Sequence, residues 1–331
     1  MSKKDAIISY ILEKIDDGTE GLADKTASVH GVNKSTIHRY LNELIEQGIV
    51  EKSGHGSYKL VRSEWSYSLL RSRRELSSDT YLFSNYLQPL IADFPANVAG
   101  IWDYALSEMT NNVIDHSGAE EAELSITQDA LRTTVILQDN GIGIFRKIKE
   151  FFGYPSLEDA VSELFKGKLT TDEENHSGEG VFFTSRLMDS FYIVSSGKVF
   201  TCNRYDDSQI LDFASGNKSG TRVIMSLSNH SNKEAKEIFD RYADIEGGFT
   251  RTSIPIKNIF DAPPVSRSQA KRICERLDRF KKVVLDFSDV EWIGQGFAHQ
   301  IFVVYKNQHP DIVIEPQNMN EDVEKMYLHV S

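Results

Sequence analysis

Three short motifs in a fixed order constrain this chain more than any other feature of its sequence. The first places Glu108 and Asn112 four residues apart, and the second is the turn Asp139-Asn-Gly-Ile-Gly, which follows an apolar run. The third is Gly178-Glu-Gly. Side chains four residues apart share one face of a helix, and glycines allow a close backbone approach. The set therefore predicts one ligand site built from a helix, a strand end and two glycine-rich turns.

The first motif is predicted to lie on an amphipathic helix that presents Glu108 and Asn112 together. A solvated helix face would show the same spacing, but the two motifs downstream argue against it. Asn111 is adjacent, so a register shift of one residue would exchange it for Asn112, and the spacing from Glu108 favours Asn112. Asp115 and His116 follow on the same element and are expected to order the site or its rim.

The second motif ends a predicted buried strand over residues 133–138. This strand delivers Asp139 to a turn in which Gly141 and Gly143 permit unusual φ values and close backbone contact. A plain strand-to-loop Asp-Asn-Gly turn is common by itself. The neighbouring motifs favour a ligand-binding turn here.

The third motif is expected to start a helix at Gly178 and Gly180, whose backbone N–H groups can hold phosphate oxygens. The polar stretch 166–176 before it lacks clear periodicity. Candidate phosphate contacts near this turn are Lys168, His176 and Ser177. The three motifs together favour a nucleoside triphosphate and its metal as the ligand, held by a site that does not use a P-loop.

In this order the motifs resemble those of the GHKL superfamily of ATPases and kinases, over residues from about 75 to 230. The resemblance implies a Bergerat-type ATP fold, an α/β sandwich, with ATP and Mg²⁺ as cofactors. It implies that Asn112 coordinates the magnesium, that Glu108 orients or deprotonates the attacking group, and that Asp139 accepts a hydrogen bond from the adenine amino group. Ser219-Gly-Thr221 resembles the last motif of the family, in which a glycine-threonine pair supports the nucleotide pocket. A ligand contact and a purely structural role are equally open for Thr221.

Residues 1–62 are predicted to form three helices and a hairpin, since apolar stripes are followed by two short strands around Ser-Gly-His-Gly. This order resembles the winged helix-turn-helix family. The third helix then offers short hydroxyls and basic groups for phosphate and base-edge contacts. The candidate DNA-binding residues are Lys34, Ser35, Thr36, His38 and Arg39. A winged helix that docks protein through the same polar face is the alternative interpretation.

Residues 63–95 are predicted to be a linker helix that leads into the ATPase domain. This segment carries Arg71, Arg73 and Arg74. A solvated hinge, a phosphate contact and an interface all remain open for these arginines, and a solvated face is the default interpretation.

Residues 231–331 change to an alternating α/β pattern that resembles a STAS-like domain, the fold of anti-anti-sigma factors. That family carries a phosphorylatable serine at a strand–turn–helix junction. This chain has Gly294, Gln295 and Gly296 there. The resemblance therefore favours either a non-phosphorylated partner module or a helix start that binds an anion.

The composition restricts the functional classes. A formal net charge of −12 opposes non-specific binding of nucleic acid by the whole chain, although a local basic patch remains compatible with DNA. No apolar run approaches the ~18 residues that span a bilayer, so no membrane partner is expected. Two distant cysteines and the absence of an apolar leader favour a cytoplasmic protein.

The sequence thus predicts a multidomain α+β protein: a winged helix over 1–62, a linker helix over 63–95, a GHKL ATP-binding domain over 96–230 and a STAS-like domain over 231–331. We expect an ATP-dependent regulator in which Mg-ATP binding and slow hydrolysis switch contacts with DNA or with a protein partner of the STAS-like domain. The runner-up is a serine/threonine protein kinase of the anti-sigma-factor type. A third hypothesis is a binding module with a degenerate nucleotide site. The oligomeric state stays open, a homodimer included.

Overall fold

A computed structural model describes residues 2–54, 56–169, 178–203, 219–244, 248–260 and 262–330. It is a mixed α+β structure with several separate sheets. Among the described residues, no helix combines the length and apolar character needed to cross a membrane. Both cysteines, Cys202 and Cys274, are free thiols.

The N-terminal unit contains three helices and a hairpin, as the sequence predicts. Ser2 caps the first helix through a reciprocal hydrogen bond with Asp5. The bounds are α1 (Lys3–Asp16), α2 (Leu22–His30), α3 (Lys34–Glu46), β1 (Val50–Gly54) and β2 (Ser57–Leu60), with the two strands antiparallel. Its apolar residues, Ile7, Ile11, Ile37 and Leu41 among them, form a buried cluster separate from that of the remaining chain.

A six-stranded antiparallel sheet forms the centre of the molecule, in the order β3-β4-β5-β8-β6-β7. Its strands are β3 (Ser63–Leu70), β4 (Glu121–Gln128), β5 (Arg132–Asp139), β6 (Ser190–Ser195), β7 (Lys198–Phe200) and β8 (Thr221–Ser228). In β5 every second residue is buried, from Thr133 to Asp139. This period of two places Asp139 on the covered face at the strand's end.

Four helices pack with one another beside this sheet. They are α4 (Ala96–Asn111), α5 (Ile144–Phe152), α6 (Leu157–Lys166) and α7 (Gly180–Leu187). Helix α4 contacts α7, and α6 contacts α5, α7 and β7. A π-helical turn, Asn112–Ser117, prolongs α4. The helices and the sheet enclose the space in which the candidate site lies.

Residues 63–95 differ from the predicted linker helix. Their first part is β3, an edge strand in register with β4, where Trp65, Tyr67 and Leu69 recur with a period of two. The later part is helical over residues 81–90, where a π-helical turn (Phe83–Leu87) runs into a 3₁₀ turn (Gln88–Leu90) that includes Pro89. A proline has no N–H to continue a helix. The segment therefore belongs to the central sheet and its packing.

The C-terminal unit is built on a three-stranded parallel sheet, in the order β11-β12-β13. The described strands are β9 (Ala243–Asp244), β10 (Gly248–Phe249), β11 (Arg251–Pro255), β12 (Lys282–Asp286) and β13 (Val313–Gln317). The helices are α8 (Ala235–Tyr242), α9 (Ile256–Ile259), α10 (Arg267–Cys274), α11 (Gln295–His299) with a π-helical continuation Gln300–Tyr305, α12 (Lys306–Gln308) and α13 (Glu321–Val330). Strands and helices alternate in this unit, as the α/β pattern of the sequence predicts.

One continuous apolar core joins the central and C-terminal units, with buried residues from Leu69 to Val323. Aromatic rings of Phe182 and Phe183 on α7 contact Phe239 on α8 and Phe249 on β10. The two domains predicted on either side of residue 231 therefore pack closely against each other.

Candidate functional site

A cavity of about 370 Å³ opens between α4, α5, α7 and the central sheet. It collects residues from all three motifs, which lie far apart in the chain. Of the residues predicted for the site, it is lined by Glu108, Asn112, Asp139, Gly178, Gly180 and Thr221. Asn111, the alternative to Asn112, lines it as well.

Glu108 on α4 and Asn112 on its π-helical continuation both face the cavity, as their spacing predicts. The α-helix ends between them and the π-helical turn begins at Asn112. Such π-turns are frequent at functional sites, because they re-aim side chains. Arg71 fixes this turn, since its Nε donates to the carbonyl of Ala119 at 2.8 Å and its Nη2 to that of Ile114 at 3.0 Å. Arg71 therefore supports the helix end that carries Asn112.

Asp139 lies at the end of β5 with only 4% of its surface exposed. The backbone N–H of Gly141 donates to its Oδ1 at 2.8 Å. Burial raises the pKa of Asp139, while its hydrogen bonds to Gly141 and Thr221 act in the opposite direction. Thr221 Oγ1 in turn accepts the N–H of Ile144 at 3.0 Å. The carboxylate is thus a positioned, desolvated acceptor on the cavity wall.

Gly141, Gly143 and Asp115 do not line the cavity. Gly141 packs tightly against Ser117, which lines the cavity, since a Cβ on Gly141 would lie 2.2 Å from the carbonyl oxygen of Ser117. Gly143 adopts φ +86°, and a Cβ would meet Ser195 Oγ at 2.5 Å. Asp115 is exposed on the π-helical turn. These three predicted residues shape or border the site without facing its interior.

Gly180 begins α7 in close contact with the first motif. A Cβ at this position would lie 2.1 Å from Glu108 Oε2, so no larger residue fits while that carboxylate keeps its place. A carboxylate near a helix start is favoured by the exposed N–H groups and the dipole. The pair brings the acid of the first motif against the glycine turn of the third.

Four further polar lining residues were not predicted as direct contacts of the site: His116, Ser117, Lys147 and Glu179. Lys147 lies on α5, and its Nζ donates to the carbonyl of His116 at 2.8 Å. Among the described lining residues it is the one lysine or arginine, beside the acids Glu108, Asp139 and Glu179. The helical spacing of Ile144, Lys147 and Ile148 after the second motif is the sequence signal that would have found it.

Lys168, a predicted phosphate contact, does not line the cavity. Its Nζ donates to the carbonyl of Arg279 at 3.1 Å and lies over the ring of Phe280. The predicted contacts His176 and Ser177, and the polar stretch from residue 170 onward, lie outside the described residues.

The predicted DNA-contact face of α3 is also defined. Ser35, His38 and Arg39 line a shallow surface groove with Asn42, Glu43 and Glu46, whereas Lys34 and Thr36 do not line it. Lys34 Nζ pairs with Asp24 at 2.8 Å and Arg39 Nε with Glu43 at 3.8 Å. Acidic neighbours therefore offset much of the positive charge on this face.

In the C-terminal unit, Gly294 precedes the helix that begins at Gln295. A Cβ on Gly294 would lie 2.6 Å from the backbone of Val265, and its N–H donates to the carbonyl of Pro264 at 2.9 Å. The glycine at this junction is therefore required by close packing of two chain segments.

Comparison with known families matches residues 269–324 to a STAS-like domain of unknown function (DUF4325). This confirms the prediction of a STAS-like domain at the C-terminal end. No curated protein matches the chain.

Proposed function

We propose that this protein is an ATP-binding regulator whose central unit is a GHKL-type domain with a Bergerat-type fold. The observation that carries the proposal is the convergence of Glu108, Asn112, Asp139 and Gly180 on one cavity. Their motifs resemble those of the GHKL superfamily in content and order. An antiparallel sheet with packed helices is compatible with that fold.

In this proposal each group has a chemical role that matches its surroundings. Asp139 is a buried acceptor, and its carboxylate accepts a hydrogen bond from the adenine amino group. The backbone at Gly178 and Gly180 approaches the phosphates at the start of α7. Glu108 orients a water molecule that attacks the γ-phosphate, with ADP and phosphate as products. Lys147 supplies positive charge toward the phosphates.

Magnesium fits this donor set. The described residues contain no group of three or more His, Cys, Asp or Glu side chains that would form a protein cage for a metal. Mg²⁺ usually keeps several waters and binds substrate phosphates with one or two protein oxygens. Asn112 on the cavity wall would provide such an oxygen. The bound ion would neutralise phosphate charge beside an otherwise acidic wall.

The flanking units are the proposed outputs of the switch. The N-terminal unit resembles a winged helix-turn-helix, with duplex DNA as its ligand through α3. The STAS-like domain is the proposed docking site for a protein partner. ATP binding in the central unit would change the contacts of both. The ion pairs on α3 predict weak, salt-sensitive DNA binding.

Calorimetric titration with Mg-ATP tests the site. The double variant Asp139→Asn, Asn112→Ala should abolish measurable binding, because it removes the adenine acceptor and the metal ligand. Asp103→Asn is the matched control, since Asp103 is exposed on the same helix as Glu108. Wild-type-like binding by the double variant would refute the assignment.

ATP labelled in the γ-phosphate separates the proposal from its alternative. Slow release of labelled phosphate, lost in Glu108→Gln, supports the ATPase. Transfer of the label to a protein identifies a serine/threonine kinase instead.

A gel-shift titration with duplex DNA at low salt, with and without ATP, tests the N-terminal unit. Arg39→Ala should weaken binding, whereas Lys3→Ala, at an exposed position on α1, should not. Failure of any duplex to shift would favour a protein-docking role.

A further inference from the structure

The segment between α6 and residue 169 forms part of the cavity wall. Gly167 and Leu169 both line the cavity, while Lys168 between them does not. The N–H of Leu169 donates to the carbonyl of Gly178 at 3.1 Å, which ties this segment to the glycine turn of the third motif. The conformation of Lys168 therefore sets the position of two lining residues and supports a third.

Lys168 is held by the C-terminal unit. Its carbonyl accepts Arg279 Nη1 at 3.2 Å and Arg276 Nη2 at 3.5 Å. Its own Nζ donates to the carbonyl of Arg279 at 3.1 Å and lies 5.2 Å from the ring centre of Phe280 and 5.7 Å from that of Phe249. Contacts from both the main chain and the side chain thus converge on one residue.

These contacts explain an unfavourable backbone conformation at Lys168. Lys168 has φ +52°, in the left-handed region that non-glycine residues seldom adopt. Such a conformation persists only where surrounding contacts over-determine it. The contacts available here come from Arg276, Arg279 and the two phenylalanine rings.

The residue before Gly167 is anchored to the same unit. Lys166 Nζ donates to the carbonyls of Arg272 and Glu275, each at 2.8 Å, and its own carbonyl accepts Thr252 Oγ1 at 2.7 Å. A Cβ on Gly167 itself would lie 2.7 Å from the ring of Phe249. The C-terminal unit therefore fixes the chain on both sides of Gly167.

We infer that Arg276 and Arg279 of the C-terminal unit are positioning residues of the central cavity, acting through the main chain of Lys168 on Gly167 and Leu169. This inference rests on the proposed nucleotide site. It makes the C-terminal unit part of the structure that determines nucleotide affinity. It also assigns Lys168 to the contact between the two units.

The test uses the full-length protein and Mg-ATP calorimetry. Arg279→Met and Lys168→Met should each weaken ATP binding three- to tenfold, because each loosens the same segment. Arg279→Lys retains a donor for the Lys168 carbonyl and should recover most of the affinity. Lys271→Met, at an exposed position on α10, is the matched control and should bind as the wild type does. The thermal unfolding midpoints of all four variants should stay close to that of the wild type, because the altered contacts are at least partly exposed.

Two outcomes overturn the inference. A loss of affinity in Lys168→Met with none in Arg279→Met would make Lys168 a direct phosphate contact. Wild-type affinity in both variants would show that the cavity does not depend on these contacts.

Hydrogen exchange separates this inference from the proposed function. If the wild type binds no nucleotide, the proposed function fails, yet the positioning role remains measurable at the amide of Leu169. Exchange there should be at least several-fold faster in Arg279→Met than in the wild type. Equal exchange rates would refute the positioning role.

Discussion

Replacing Lys166 with methionine should lower the free energy of unfolding by about 3–5 kcal/mol, the range for breaking a buried ion pair by removing one partner. The lysine side chain is 1% exposed, and Nζ donates to Glu163 Oε1 at 2.5 Å and to two carbonyls of the C-terminal unit. Methionine fills a similar volume but donates nothing. It would leave Glu163, whose side chain is 3% exposed, paired with Arg276 Nε at 3.5 Å, and would remove the hydrogen bonds to both carbonyls.

The loss should depend on pH. Burial already raises the pKa of Glu163 and lowers that of Lys166, because both charged groups lose their water. Without the ammonium, the carboxyl is more easily protonated in the folded state than in the unfolded chain. The folded state then binds more protons, so the variant loses stability as pH rises through the raised pKa of Glu163. The destabilisation should therefore be smaller at about pH 5 than at about pH 8.

Urea unfolding followed by tryptophan fluorescence, to which the buried Trp102 contributes, provides the measurement. Lys198→Met is the control. Lys198, on β7, pairs at 2.5 Å with Glu158 of α6, the helix that also carries Glu163 and Lys166, but the two side chains are 40% and 51% exposed. That change should cost less than ~1 kcal/mol. The double variant Lys166→Met, Glu163→Met should recover much of the loss. If Lys166→Met costs no more than Lys198→Met, the buried pair does not hold the two units together.

Three further predictions concern the cavity. Lys147→Met should weaken ATP binding by about tenfold or more, as expected for the loss of a hydrogen bond to a charged group. Adenosine binding, measured by the same calorimetry, should stay unchanged. Equal losses for both ligands would contradict a phosphate contact. Because burial raises the pKa of Asp139, ATP affinity should fall as pH is lowered through that pKa, whereas stability without ligand should fall as pH rises through it. Asp139→Asn should abolish both dependences, measured by titrations and melts across pH; a persisting dependence would point to another group. Gly180→Ala should lower ATP turnover about tenfold or more, because its Cβ would displace the Glu108 carboxylate. Gly100→Ala, in open space on α4, the helix that carries Glu108, should keep full turnover and stabilise the protein by about 0.5–1 kcal/mol; equal turnover in the two variants would rule out the clash.

The sequence determined those features that depend on neighbours along the chain. Spacing four residues apart placed Glu108 and Asn112 on one face, and the apolar run before Asp139 became β5. Both signals are periodicities of local backbone geometry, so one segment is enough to carry them. The STAS-like pattern was likewise local, and the family match to 269–324 confirms it.

The tertiary structure decided what depends on distant contacts. It turned Lys168 away from the cavity and Lys147 into it, and it assigned Arg71 to the end of the helix that carries Asn112. It made residues 63–70 an edge strand, because pairing with β4 outweighed the helix expected there. It also buried Lys166 between two units that the sequence pattern had separated. These outcomes depend on hydrogen-bond partners that are distant in the sequence. The partners lie 31 to 111 residues away in the hydrogen bonds of Lys147, Arg71, Lys166 and Lys168, so the pattern of a single segment does not reveal them.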